Sequence, residues 1–524
     1  MSNASPNELA ARLLEPHEIA FLDVREARQF ASGHPNLARH APLGSLELRV
    51  GRLVPRAATP VFMLDRDGAA GGPAHRAAQL LARLGYADVR IVEGGADAWA
   101  AAGLPLTQGY NTLVKAFADL ARQRYRTPTI DVDALRKRSL EQLPTTFIDA
   151  RPRNEYHALT IAGAHNIPGA ELALRRFDRD KTGLLAINCF SRTRGIIGAT
   201  TLRLLGLAEE VAFVDNGVME WGLHGLPLEQ NADSPLGLPE LPEAELAAIA
   251  GQLIGRHALK TADAAALRSW LADGDRSLYA FDVRETAPDT AHSIVRKVAG
   301  GQLLMHYENH VATKGARIVL IDDAHRLRAA VTAFWLSQLN QAEVFILDAG
   351  AADFPAYEER EAIDEPPTGL STQDLEGRLE RFFIVDVGPS LDFEQGHLPG
   401  AHFLIPSYPD DLAKPLRQDK PILFTSPDGH AARLAGRDAA RLEQGRGDVF
   451  WLKGGTENWK REGGKTETRY EARHLLSPFD DDWGSVMRVF GPQRDQAWQA
   501  YLDWESSFSA DIGQDRTVRF QFFA

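Results

Sequence analysis

Cys189 is the single cysteine in a chain of 524 residues, which excludes an intramolecular disulfide and a thiolate-rich metal site. The 16 histidines do not fill that gap. They show no metal-ligand spacing, and His34, His40, His165 and His397 fall in turns, where surface roles are expected. No apolar run approaches the roughly 20 residues that cross a bilayer, and the opening MSNASPNELAARLLEPHE lacks both a basic n-region and an apolar h-region. A cytoplasmic protein is expected. Basic charge is in deficit, 58 Lys+Arg against 71 Asp+Glu for a net −13, so nucleic acid and membrane surfaces are not expected partners; small molecules or proteins are. Neither a Gly-x-x-x-x-Gly-Lys loop nor a dinucleotide fingerprint is present. Gly and Pro are not blocked and 44% of residues are hydrophobic, which excludes disorder, collagen and coiled coil. The length is that of three or four domains.

What the chain does have is repetition. A buried strand ending in Asp recurs at Phe21-Leu-Asp23-Val-Arg25, Phe147-Ile-Asp149-Ala-Arg151, Phe281-Asp282-Val-Arg284 and Ile384-Val-Asp386-Val-Gly388. Each copy continues to a second apolar strand (VFMLD, LLAINC, RIVLID, PILFTS), a polar loop and a helix-periodic segment such as Ile196, Ile197, Thr200, Leu204. A third strand leads into Gly-x-x-x-aromatic, with Gly95 and Trp99, Gly217 and Trp221, Gly350 and Phe354, Gly455 and Trp459. Strands apolar at consecutive positions and alternating with helices predict α/β units, each a mainly parallel sheet flanked by helices. Trp221 is expected in the core, with the wall of a cleft as the alternative.

Composition sets the boundaries at 1–108, 129–232, 257–363 and 369–464, with a helical connector across 109–128 carrying Leu113, Phe117 and Leu120 on one face. The Pro-rich runs at 234–243 and 364–369 separate the later units. Residues 465–524 hold Trp483, Trp498 and Trp504 and end in RFQFFA. That is too aromatic for a solvated tail, and docking on a neighbouring domain, or on another subunit in a homo-oligomer, is expected.

Chemistry concentrates at Asn188-Cys189-Phe190-Ser191-Arg192-Thr193-Arg194-Gly195, between a buried strand and a helix start. Unpaired N–H groups and the positive end of the helix dipole converge there, so Cys189 is expected to have a lowered pKa and to act as a nucleophile. Arg194 and Arg192 are the candidate anion-binding residues, and Phe190, Ser191, Thr193 and Gly195 of the same loop are the further candidate substrate-binding residues. Asp149 and Arg151 are expected to form a structural ion pair. The third unit aligns without a gap with Asp323 at the Cys189 position; the first and fourth units lack the nucleophile as well.

These units resemble rhodanese domains, on the strand-ending Asp-x-Arg, the turn at Asn166-Ile-Pro168, the Cys189-x4-Arg194 loop and Gly-x-x-x-Trp. The whole chain is similar to tandem four-rhodanese-domain thiosulfate sulfurtransferases. The resemblance implies that Cys189 takes a sulfane sulfur from thiosulfate as a persulfide and passes it to cyanide or a thiol, without metal or cofactor. It also implies a cleft between a silent and an active domain, here the first and second units. The six-residue loop disfavours the phosphatases and arsenate reductases of this fold, which use Cys-x5-Arg, and the two arginines place thiosulfate above mercaptopyruvate. The competing reading is a persulfide carrier or scaffold that delivers sulfur to a protein partner.

Overall fold

The computed structural model describes residues 2–235, 237–287, 293–348, 354–360, 367–442 and 448–524. Four sheets repeat one strand order. In the second domain it runs Thr129–Ile130, Val211–Val214, Leu184–Asn188, Thr145–Asp149, His165–Asn166, all parallel. Leu184–Asn188 is buried at every position, as a central strand covered by helices on both faces must be. The third domain has the same order through Lys260–Ala262, Glu343–Leu347, Arg317–Ile321, Leu278–Asp282 and Val295–Lys297. The first sheet gains a sixth strand, because Thr313–Lys314 of the third domain pairs antiparallel with Ile19–Asp23 of the first.

The strand register aligns the four loops more strictly than sequence does. Asn188 stands opposite Asp149, Leu64 opposite Asp23, Ile321 opposite Asp282 and Thr425 opposite Asp386. The next residue is therefore Cys189, Asp65, Asp322 or Ser426. Asp322, not Asp323, occupies the cysteine position, a correction of the ungapped alignment. The third loop is one residue longer. Ala329 N–H donates to the Asp322 carboxylate at 3.0 Å, the role that Gly195 N–H plays toward Cys189.

The repeated motifs turn out to be scaffold. Arg151 Nη2 meets Asp149 Oδ2 at 2.6 Å, with both side chains fully buried, and also donates to the Leu159 carbonyl at 2.5 Å. Arg25 treats Asp23 and the Gly33 carbonyl alike, at 2.6 and 2.7 Å. The indoles of Trp99, Trp221 and Trp459 each donate to a carbonyl six residues on, at 3.1, 3.0 and 2.8 Å. Trp221 is half-buried against Phe147 and is not part of the cleft wall; Gly350 of the third copy lies outside the described residues. Contrary to the expectation for turns, His34 and His397 are buried, stacked at 3.6 and 3.9 Å on Phe30 and Phe393.

The connector forms the helix Thr112–Tyr125, with Leu113 and Phe117 buried, and packs on the helix Thr193–Leu204 that follows the Cys189 loop. The C-terminal segment docks on its own chain. Phe520 and Phe522 pack on Phe117, and Trp498 is buried edge-on to Phe190. Among the described residues no helix is long and apolar enough to cross a membrane.

Candidate active site

Cys189 follows the central strand of the second domain and opens onto a cavity of about 520 Å³. Its walls come from three domains, the connector and the C-terminal segment: Arg49 from the first domain, Lys115 from the connector, Glu155 and Arg194 from the second domain, His306 from the third and Tyr501 from the C-terminal segment. The first domain thus faces the second across the cleft, as expected, but the third domain and the C-terminal segment close it too. Gly217, at φ 54°, permits this geometry, because a Cβ there would collide with the Cys189 carbonyl. That carbonyl accepts Val218 N–H at 3.0 Å, which pins the loop to the next strand-helix turn.

The thiol itself is buried, and burial pushes its pKa above the ordinary cysteine value. The Arg194 charge, Gly195 N–H and Arg151 act in the opposite direction without overturning that shift. This corrects the expectation of a lowered pKa, since desolvation outweighs the helix terminus and the cations here. Gly195 serves through its N–H and is not part of the cavity wall, whereas Phe190, Ser191 and Thr193 are.

The two arginines of the loop separate. Arg194 borders the cavity and grips Glu155 with both prongs, at 2.6 and 2.7 Å, and Gln302 at 3.2 Å. Burial alone would lower the Arg194 pKa, but Glu155 holds it up. Arg192 turns the other way. It bonds Asp119 of the connector helix at 2.6 Å and Asn216 at 3.1 Å, and is not part of the cavity wall. Expected as a substrate-binding residue, Arg192 lies outside the cavity wall and fastens the loop to the connector.

Lys115, Tyr501 and Arg49, like Glu155 and His306, were not legible as site residues in the sequence. Lys115 is buried, donates to the Tyr501 hydroxyl at 2.7 Å and lies 4.8 and 4.5 Å from the Tyr501 and Trp504 rings. Its pKa is lowered by burial, and Cys189 is among the groups acting on it. Tyr501 likewise feels Cys189. Arg49, on the helix Leu43–Leu53, also borders an adjoining cavity of about 500 Å³ that reaches the Ser426 loop of the fourth domain. No motif surrounds these residues; only the domain packing brings them to the thiol. Asp322, Asp323 and His325 of the third domain lie within 4.8 Å of one another, and acidic groups in such proximity are common without an ion.

Parallel α/β units that each present one strand-to-helix loop at the carboxyl end of a central strand define the class. The chain belongs to the rhodanese-like domain family, which matches residues 5–102, 131–224 and 371–462, more than half of its length. The third domain lies outside those matches and joins the set by its sheet order. A crystal structure of thiosulfate sulfurtransferase from Pseudomonas aeruginosa is 29% identical, with TM-score 0.89 over 100% of both chains. Escherichia coli SseA, described as a 3-mercaptopyruvate sulfotransferase, is 18% identical over 41% of this chain and 99% of its own, with TM-score 0.18. The HTH-type transcriptional regulator Rv0324 of Mycobacterium tuberculosis is 37% identical over 107 residues, 20% of this chain. The match spans 45% of the length of that regulator.

Proposed function

We propose that the protein is a thiosulfate sulfurtransferase with one active site, at Cys189. The observation that carries this reading is the only thiol of the chain standing in a cavity, on a loop whose Gly195 N–H points at its sulfur. Full-length similarity to the Pseudomonas aeruginosa thiosulfate sulfurtransferase supports it.

In this mechanism the Cys189 thiolate attacks the outer sulfur of thiosulfate. The bond between the two thiosulfate sulfurs breaks, and sulfite leaves with the electron pair. The Cys189 persulfide carries one negative charge on its terminal sulfur, where Gly195 N–H and the fixed Arg194 charge stabilise it. Cyanide, or a thiolate, then attacks that terminal sulfur, thiocyanate or a persulfide departs, and the Cys189 thiolate is restored. Glu155 keeps Arg194 oriented, and no metal or organic cofactor takes part.

Intact mass after incubation with thiosulfate is the test, with a gain of about 32 Da expected for one sulfur, lost in Cys189→Ser. Steady-state thiocyanate formation separates an enzyme from a persulfide carrier, which would load sulfur but turn over poorly with cyanide. Absence of any mass gain in the unsubstituted protein would overturn the assignment.

A further inference from the structure

Arg49 is the uncommitted cation of the Cys189 cavity. The other two are engaged: Arg194 is clamped by Glu155, and Lys115 donates to Tyr501. Arg49 has no hydrogen bond, ion pair or ring contact among the described residues. It is partly buried in the cavity wall, and burial lowers its pKa. Two of its polar neighbours, His40 and Tyr110, bring no negative charge. The His40 imidazole, which bonds the Arg25 carbonyl and the Tyr110 hydroxyl, is held neutral, its pKa lowered to about 3 by burial. Burial raises the Tyr110 pKa, so its hydroxyl is neutral as well. Asp481, on the same wall, accepts Ser390 N–H at 2.6 Å and forms no ion pair with Arg49 among the described residues.

A desolvated cation without a counter-ion costs free energy that a fold retains only for a return elsewhere, and a bound anion is the partner that relieves it. The sulfur end of a donor is already served at Cys189 by Gly195 N–H and Arg194. A second negative group in the same cavity needs a cation of its own, and Arg192, which sequence assigns to that task, is tied to Asp119. We infer that Arg49 of the first domain forms an anion subsite that takes the oxyanion end of the sulfur donor, a sulfonate-type group, while the sulfur end faces Cys189. This deepens the sulfurtransferase reading and rests on it. It gives the first domain, which lacks a nucleophile, a direct part in donor recognition.

Arg49→Gln, Arg49→Lys and the unsubstituted protein are compared in thiosulfate:cyanide kinetics and thermal unfolding. The expected result is a rise in the thiosulfate KM of tenfold or more in Arg49→Gln with kcat changed less than threefold. Arg49→Lys should recover part of the loss, and the Tm of Arg49→Gln should be equal or higher, because an unpaired charge has been removed. Calorimetry of thiosulfate binding in a Cys189→Ser background should show the same loss of affinity on adding Arg49→Gln. An unchanged KM and unchanged binding overturn the subsite while leaving the sulfurtransferase reading intact, and a fallen Tm with unchanged KM assigns Arg49 to structure. If the unsubstituted protein takes up no sulfur, the parent reading itself fails, a result distinct from either.

Discussion

Arg194 and Glu155 face each other as a two-pronged pair, at 2.6 and 2.7 Å, in the wall of the cavity that holds Cys189. Both side chains are largely withdrawn from solvent, 11% and 17% exposed. The pair gives the loop a cation of fixed position, which on the proposed mechanism meets the charge forming on sulfur already oriented. Removing one member leaves the other buried and unpaired. Arg194→Gln should cost about 3 kcal/mol of stability, read by urea denaturation, and should lower the rate of sulfur uptake. Glu155→Gln should lower that rate less, since the cation remains.

Because burial raises the Cys189 pKa, the thiolate fraction is small at neutral pH and grows about tenfold per pH unit up to the folded-state pKa. Alkylation by iodoacetamide, followed by mass spectrometry across pH 6 to 10, should rise with a midpoint above that of a free cysteine. Arg194→Lys should hold the midpoint near that of the unsubstituted protein, and Arg194→Gln should move it further up, since Arg194 is the largest influence favouring the thiolate. A midpoint below that of free cysteine would contradict the desolvation argument.

Arg192 and Asp119 bind the Cys189 loop to the connector helix through a pair with side chains 13% and 4% exposed. Arg192→Ala should therefore lower stability by about 3 kcal/mol and leave the thiosulfate KM within about twofold. Parallel unfolding and kinetic measurements distinguish this fastening role from a substrate contact, which would raise KM instead.

The fourth domain lacks the arginine that accompanies the strand-ending aspartate elsewhere, having Gly388 in its place. Asp386 is fully withdrawn from solvent by burial and accepts Gly388 N–H at 2.8 Å, and its pKa is pushed up to about 7 by desolvation. A carboxyl with a folded-state pKa above its unfolded value binds protons more tightly when folded. Stability then falls as pH rises from about 4 to about 7 and is level outside that window. The full change is on the order of 4 kcal/mol at about 1.4 kcal/mol per unit. Asp386→Asn should flatten that part of the Tm against pH curve. Glu26 and Glu308, also raised to about 7 by burial, leave a residual slope of the same sign.

The repeat was legible because each unit needs the same buried strand, the same Asp at its end and the same glycine turn, and these requirements act on neighbouring residues. The cysteine loop was legible for the same reason. The direction of Arg192 was not, since a guanidinium two residues from Arg194 can turn to either side and only the connector helix, with Asp119 in place, decides. Arg49, Lys115 and Tyr501 come from segments far apart in sequence and carry no shared pattern. The third loop is misaligned by one residue in the sequence because two aspartates, Asp322 and Asp323, stand side by side after the strand, and only pairing across the sheet tells which of them takes the cysteine position.

Thr313 and Lys314, a two-residue strand of the third domain, complete the sheet of the first. Duplicated units begin as interchangeable cassettes, but one that lends backbone hydrogen bonds to another can no longer be excised, swapped or expressed alone without leaving a raw edge behind. The Cys189 cavity, walled by Arg49 of the first domain and His306 of the third, is thus hostage to an exchange between those two units.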